Sequence, residues 1–303
     1  MNSEIPPLPE VEPIDAFARS RARLIGIAYR MLGSSAEAED IVQDAWLRWH
    51  AADPATIQNA EAWLVTATTR LAIDRLRAVK MQRLHYEGLW LPEPVLTDSP
   101  ELQSEFAEDV SIAFLTVLER LGPEARAAFL LREVFDADYG EVAATLGKSE
   151  AAVRQLVSRA KSQVRDEQRR HTVSGDRQMQ LLQGFAEAIR KGSFAALQSL
   201  LAEDAVLIGD GGGKVPSFGK PLVGGRRLAQ LYLATHLRFR DGLSVQVRML
   251  NGRPGLLRFI DGKLESAQTF ETDGERIVRV HVQRNPDKLA VLARLLGTGL
   301  ADL

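Results

Sequence analysis

The chain contains no cysteine. That absence excludes disulfide staples and thiolate metal sites, and it removes thiol oxidation as a sensing chemistry. Aromatic residues make up only 6% and histidines number five, and His85 and His281 have no partner at metal-ligand spacing, so neither a metal nor another cofactor is expected. There is no apolar run long enough to span a bilayer and no basic-then-apolar leader. The expectation is a cytoplasmic protein with no membrane partner. Strong net charge is missing as well: 38 Lys and Arg against 40 Asp and Glu leave −2, which at first sight argues against a nucleic-acid binder. The average conceals a local pattern, because basic residues gather on some predicted helices and acidic ones on others.

What is present is 303 residues, 45% of them hydrophobic, a length that predicts two or three domains. Pro6, Pro7, Pro9 and Pro13 among acidic neighbours predict a disordered lead-in over 1–13. A first helical unit is expected over 14–88. Leu24, Ile27, Ala28 and Met31 repeat at helical spacing, Gly33 closes that helix, and Ser34 with Glu37 has capping-box spacing for the next, which runs to about Trp49. Asp53, Pro54 and Asn59 mark a loop, and Glu61 to Arg83 reads as one long helix with a basic C-terminal half. Three prolines between Trp90 and Pro100 make 89–104 a linker. A second helical unit, 105–171, carries helices over Ala107–Arg120 and Glu124–Val134, broken at Gly122 and Pro123, and then a helix-turn-helix.

That last motif points to DNA. Val142, Ala143 and Leu146 fall at helical spacing, Gly147 supplies a permissive turn, and Ser149 can accept from the free amides of the following helix. On the second helix Val153, Leu156, Val157, Ala160 and Val164 form a buried stripe. Arg154, Gln155, Ser158, Arg159 and Lys161 remain outside, side chains suited to base edges and phosphates. Upstream, Glu37, Asp40 and Asp44 lie on one helix face beside Gln43, with Ile41, Ala45 and Trp46 as the buried stripe. The next helix opposes this acidic face with Arg70, Arg75, Arg77, Lys80 and Arg83 against the lone Asp74. Opposed patches in one small unit suggest two macromolecular partners.

Two stretches, Ala38-Glu39-Asp40-Ile41-Val42-Gln43-Asp44 and Ala72-Ile73-Asp74-Arg75-Leu76-Arg77, resemble region two of extracytoplasmic-function sigma factors. Leu121-Gly122-Pro123-Glu124-Ala125-Arg126, Leu131-Arg132-Glu133-Val134 and the helix-turn-helix resemble their region four. The resemblance implies that Glu37, Asp40, Gln43, Asp44 and Trp46 dock on the clamp helices of the large subunit of core RNA polymerase. It implies that Asn59, Arg70, Arg75, Arg77 and Lys80 open and read the minus-ten promoter element, and that Ser149, Arg154, Gln155, Ser158 and Arg159 read the minus-thirty-five element. Many relatives carry Asn where this chain has Arg70.

After a short linker, 172–178, the pattern changes. Over 179–303 helices at Met179–Arg190 and Phe194–Leu201 give way to alternating runs near Val206–Ile208, Ser244–Leu250, Leu256–Ile260 and Ile277–Val282, which predict helices wrapped by a curved antiparallel sheet. This unit resembles the SnoaL-like cone. The fold class expected for the whole chain is therefore two all-α units, sigma region two and a region-four helix-turn-helix, followed by an α+β SnoaL-like unit. Three motifs resemble the sigma subgroup with such a fused domain: Trp90-Leu91-Pro92-Glu93-Pro94, Asp210-Gly211-Gly212-Gly213-Lys214 and Asn285-Pro286-Asp287-Lys288-Leu289. The resemblance implies regulation in cis, with these motifs meeting at one contact surface and no separate anti-sigma protein; a monomer is expected when the chain is free. The glycine run is not a nucleotide loop, because Val215, not a hydroxyl residue, follows Lys214. Two alternatives stay open on the residues alone: a helix-turn-helix regulator whose third unit senses a ligand, and a third unit that acts on a small molecule through Asp210, Tyr232, His236 or Asp261.

Overall fold

Local signals account for the helix starts of the first unit and for the end of its first helix. The computed structural model describes residues 13–53, 57–83, 86–98, 111–168 and 174–301. Helix α1 (Pro13–Leu32) begins on proline, whose missing amide costs nothing at a helix start. It ends at Gly33, which adopts φ +71° and donates its N–H to the Tyr29 carbonyl at 2.7 Å. Ser34 caps α2 (Ser35–Ala51), its hydroxyl accepting from the Glu37 amide at 3.2 Å. The Asn59 side chain accepts from the Ala62 amide at 3.0 Å and so caps α3 (Ala60–Arg83). Pro54 lies outside the described residues, as does the start of the helix expected from Ala107.

The second unit comprises α4 (Ile112–Leu118), α5 (Pro123–Glu133), α6 (Tyr139–Leu146) and α7 (Glu150–Gln168). Asp138 and Glu141 complete a reciprocal capping box on α6. Gly147 turns the chain at φ +62°, a left-handed conformation that a side chain resists, and Ser149 accepts from the Ala152 amide at 3.3 Å. Val153, Val157, Ala160 and Val164 are buried and Leu156 half-buried. One hydrophobic cluster runs through both helical units, joining Leu24, Ile27, Leu64 and Leu76 to Leu115, Leu118, Leu130 and Val142.

The third unit is α+β. Helices α8 (Gly175–Lys191) and α9 (Phe194–Leu200) precede β1 (Leu201–Asp210), β2 (Leu222–Val223), α10 (Gly225–Arg238), β3 (Leu243–Leu250), β4 (Arg253–Ile260), β5 (Lys263–Thr272), β6 (Ile277–Gln283) and α11 (Pro286–Leu295). The sheet order is β2-β1-β6-β5-β4-β3. The expected all-antiparallel sheet is corrected at one ladder, because β1 and β6 run parallel. Strand β2, helix α10 and the β3–β5 meander intervene between them and supply the crossover a parallel pair needs. Strand β5 was absent from the alternating runs, since Glu265, Ser266 and Gln268 are polar and nevertheless buried. Helices α8 to α10 pack on one sheet face around Phe185, Tyr232 and Phe270, and α11 covers the other with Leu289, Leu292 and Ala293 against Leu257, Leu264 and Ala267. Among the described residues no helix is long and apolar enough to cross a membrane.

Candidate functional site

The acidic face of α2 is open. Asp40, Gln43 and Asp44 are exposed, and among the described residues no cation pairs with Asp40 or Asp44. Glu37 is half-buried and pairs with Arg75 at 3.0 Å. Trp46 is half-buried, with ring contacts to Phe17 at 4.4 Å and His50 at 3.9 Å. Helix α7 presents Arg154, Gln155, Ser158 and Arg159 to solvent, and Ser149 is exposed at its start. Arg154 lies over the Tyr139 ring at 4.2 Å and pairs with Glu150, while Lys161 is tied to Glu133 at 2.5 Å.

The basic face of α3 is turned onto the second helical unit. Arg70 donates to the Thr145 and Ala144 carbonyls at 2.8 and 3.1 Å. Arg77 bonds Glu124 at 2.8 Å, and Lys80 donates to the Leu121 carbonyl at 2.7 Å. Arg83 reaches Glu119, which also takes the buried Arg126 at 2.6 Å, and Arg126 in turn donates to the Met31 carbonyl. Asn59 is exposed at the cap of the same helix.

The linker over 86–98 passes between the first and third units and is gripped from both sides. Asp210, wholly buried at the end of β1, is its anchor. One carboxylate oxygen accepts from the Tyr86 hydroxyl at 2.6 Å and the Gly212 amide at 3.0 Å. The other accepts from the Leu91 amide at 2.9 Å, Lys288 at 2.7 Å and Gln283 at 3.2 Å. Lys288 also donates to the Leu91 carbonyl at 2.7 Å and lies 4.3 Å above the Trp90 ring. Burial lowers its amine to about 8 while Asp210 opposes that fall. Burial, followed by the hydrogen bond to Asp210, raises the Tyr86 phenol well above its ordinary value, so the phenol is the donor. Asn285 donates to the Tyr86 oxygen at 2.9 Å and caps α11 by accepting from Asp287. Pro286 opens that helix, Leu289 is buried beneath it, and Asp287 makes an exposed pair with Lys214 at 2.6 Å. Gly211, Gly212 and Gly213 form the turn between Asp210 and Lys214, and a side chain at Gly212 would collide with Asn285.

From the opposite side, the first unit holds the same linker. Trp90 stacks under Arg83 at 3.6 Å, and a side chain at Gly33 would come within 2.7 Å of its ring. Pro92 is buried beside it. Glu93 donates its amide to the Gly33 carbonyl, and its carboxylate accepts from the Ser35 amide and hydroxyl at 2.7 and 2.8 Å. Tyr29 donates to the Glu93 carbonyl at 2.7 Å and accepts from Asn251 at 2.6 Å, so α1 and the β3–β4 turn meet through one phenol. Val95 exchanges bonds with Asn251, and Leu96 bridges to Leu250. Tyr29, Tyr86, Asn251 and Gln283 were not singled out from the sequence. Only Asn251 carries a local signal, as the first residue of an Asn-Gly hairpin turn.

Asp210, Tyr232, His236 and Asp261 do not converge. Asp210 is in the linker clamp, Tyr232 donates to Gln268 inside the third unit, His236 packs on Gly192, and Asp261 sits in the β4–β5 turn. His85 lies outside the described residues. His281 is buried, and burial, with Arg279, lowers its imidazole to about 3. Among the described residues no cluster suits a metal ion.

Residues 16–81 match the sigma-70 region 2 family and residues 111–164 match sigma-70 region 4. The chain is 38% identical over 251 residues to the ECF RNA polymerase sigma factor SigJ of Mycobacterium tuberculosis, covering 80% of each protein. It is 28% identical over 293 residues to the probable ECF RNA polymerase sigma factor SigI of the same organism, covering 95% of this chain and 99% of that one. The crystal structure of SigJ superposes with a TM-score of 0.74 at 31% identity, over 95% of this chain and 100% of that chain.

Proposed function

The chain belongs to the extracytoplasmic-function family of RNA polymerase sigma factors, and from that premise we propose how its three units divide the work and how the third governs the other two. As an alternative sigma factor it acts in transcription initiation with core polymerase and promoter DNA. The open face of α2, with Asp40, Gln43 and Asp44, docks on the clamp helices of the large polymerase subunit. Helix α7 enters the major groove of the minus-thirty-five element with Arg154, Gln155, Ser158 and Arg159. The Asn59 loop and the basic face of α3 open the minus-ten element, where extruding a base costs a few kcal/mol that phosphate contacts offset.

One observation carries the regulatory part: Arg70, Arg77 and Lys80 bond the region-four unit. A face bonded this way has to separate from α5 and α6 before it takes DNA. The linker that would permit such separation is fixed at Tyr86 and Leu91 by Asp210 and Lys288 of the third unit. The third unit thus acts in cis as a brake on opening, in place of a separate anti-sigma protein, in a cytoplasmic factor that is monomeric until it meets polymerase. No reaction is assigned to it.

The test is in vitro transcription with core polymerase and a cognate promoter. Asp210→Ala is expected to raise initiation severalfold at unchanged polymerase affinity. Output equal to or below that of the parent chain removes the brake.

A further inference from the structure

Inside the cone of the third unit lies a cavity of about 370 Å³, at the lower end of the range of about 300–1,000 Å³ used for small ligands. Its walls are apolar, formed by Leu207, Phe218, Leu231, Phe239 and Val282. Its charged lining is unbalanced. Glu265 is the sole carboxylate there, and it is already engaged on both oxygens, by Arg258 at 2.5 Å and Arg284 at 2.7 Å. Burial opposes the ionised form of Glu265, but Arg258 and then Arg284 override it and keep the carboxyl below its ordinary value. Arg238 adds a third guanidinium at the exposed mouth, where among the described residues its contact is the Phe239 ring. Two guanidinium groups in the half-buried interior and a third at the mouth therefore face one carboxylate, an excess that an anion relieves. The floor offers no free base, because Tyr232 donates to Gln268 and Gln268 to Ser266. That chemistry favours binding over turnover.

The same cavity touches the linker clamp. The backbone amide of Arg284 donates to the Asp210 carbonyl at 2.8 Å, and its guanidinium reaches the Pro216 carbonyl in the loop that follows the glycine turn. Gln283, one residue before Arg284, donates to the linker carbonyls of Leu91 and Pro92 and to the Asp210 carboxylate.

We propose that this cavity binds a small carboxylic acid with an apolar body, its carboxylate met by Arg284, Arg258 and Arg238, and that occupancy reaches the linker through Arg284. The second half rests on the clamp reading above; the first does not. Calorimetric titration of the full chain with octanoate, decanoate, phenylacetate and 1-naphthoate, each beside its primary alcohol, tests the binding. At least one acid should bind saturably and about tenfold or more tighter than its alcohol. Arg238→Gln, at an exposed position that does not threaten folding, should weaken the acid severalfold and leave the alcohol unchanged, and Leu231→Trp should fill the cavity and abolish both. If no acid binds saturably, or acids and alcohols bind alike, the site is overturned. Hydrogen exchange at the Leu91 amide should change on binding, and unchanged protection at saturation overturns the transmission. Because binding is read without polymerase, its failure leaves the brake standing, and a brake that fails in transcription leaves saturable binding intact.

Discussion

At the scale of single residues, Asp210 and Lys288 decide the most. A carboxylate with no solvent exposure is tolerable only with its donors in place, and Lys288 is the one that carries charge. Lys288→Met keeps the length of the side chain and strands that carboxylate, at an expected cost of about 3–5 kcal/mol. Urea denaturation checks it, and a loss under about 1 kcal/mol would mean that water reaches Asp210. His281 adds a pH dependence of definite sign. Burial, with Arg279, lowers its imidazole from an ordinary 6.5 to about 3. Between those values the unfolded chain binds a proton that the folded chain does not, so stability present above pH 6.5 is lost progressively as pH falls toward 3. His281→Leu should flatten that slope in denaturation midpoints taken between about pH 4.5 and 7, and an unaltered slope would contradict it. The motifs at Trp90, Asp210 and Asn285 stood out through resemblance. Tyr29, Tyr86 and Gln283 did not, because each is a lone polar residue whose partner lies on another element far along the chain.

At the scale of elements, helices were easier to read than strands. Apolar spacing in α1, α3 and α7 and the caps at Ser34 and Gly147 are local properties, and local physics sets them. Strand β5 escaped because Glu265, Ser266 and Gln268 are buried polar residues that replace the apolar alternation that marks a strand. The direction of β1 against β6 is a matter of connection, which no window of sequence contains. Helix α2 supports the sharpest prediction at this level. Asp40→Lys with Asp44→Lys reverses two exposed charges without touching the buried Ile41, Val42 and Ala45. Polymerase affinity should fall by at least about tenfold, or about 1.4 kcal/mol, with the unfolding midpoint unmoved. Parent-like affinity would show that α2 is not the docking face.

At the scale of the whole molecule, a continuous core joins the two helical units and a doubly gripped linker joins them to the third. Individual α3–region four bonds near solvent are each worth little, so the larger cost of opening lies in the shared core, which polymerase and DNA contacts have to offset. The central claim is that this exchange happens: the free chain is closed and the initiating chain is open. A chain with no cysteine makes the claim directly measurable, because dyes can be attached at cysteines placed at Ala78 on α3 and Ala151 on α7, both exposed. Energy transfer between them, read first in the free chain and then with core polymerase and promoter DNA under transcribing conditions, should go from high to low. High transfer retained in a transcribing complex would contradict the account.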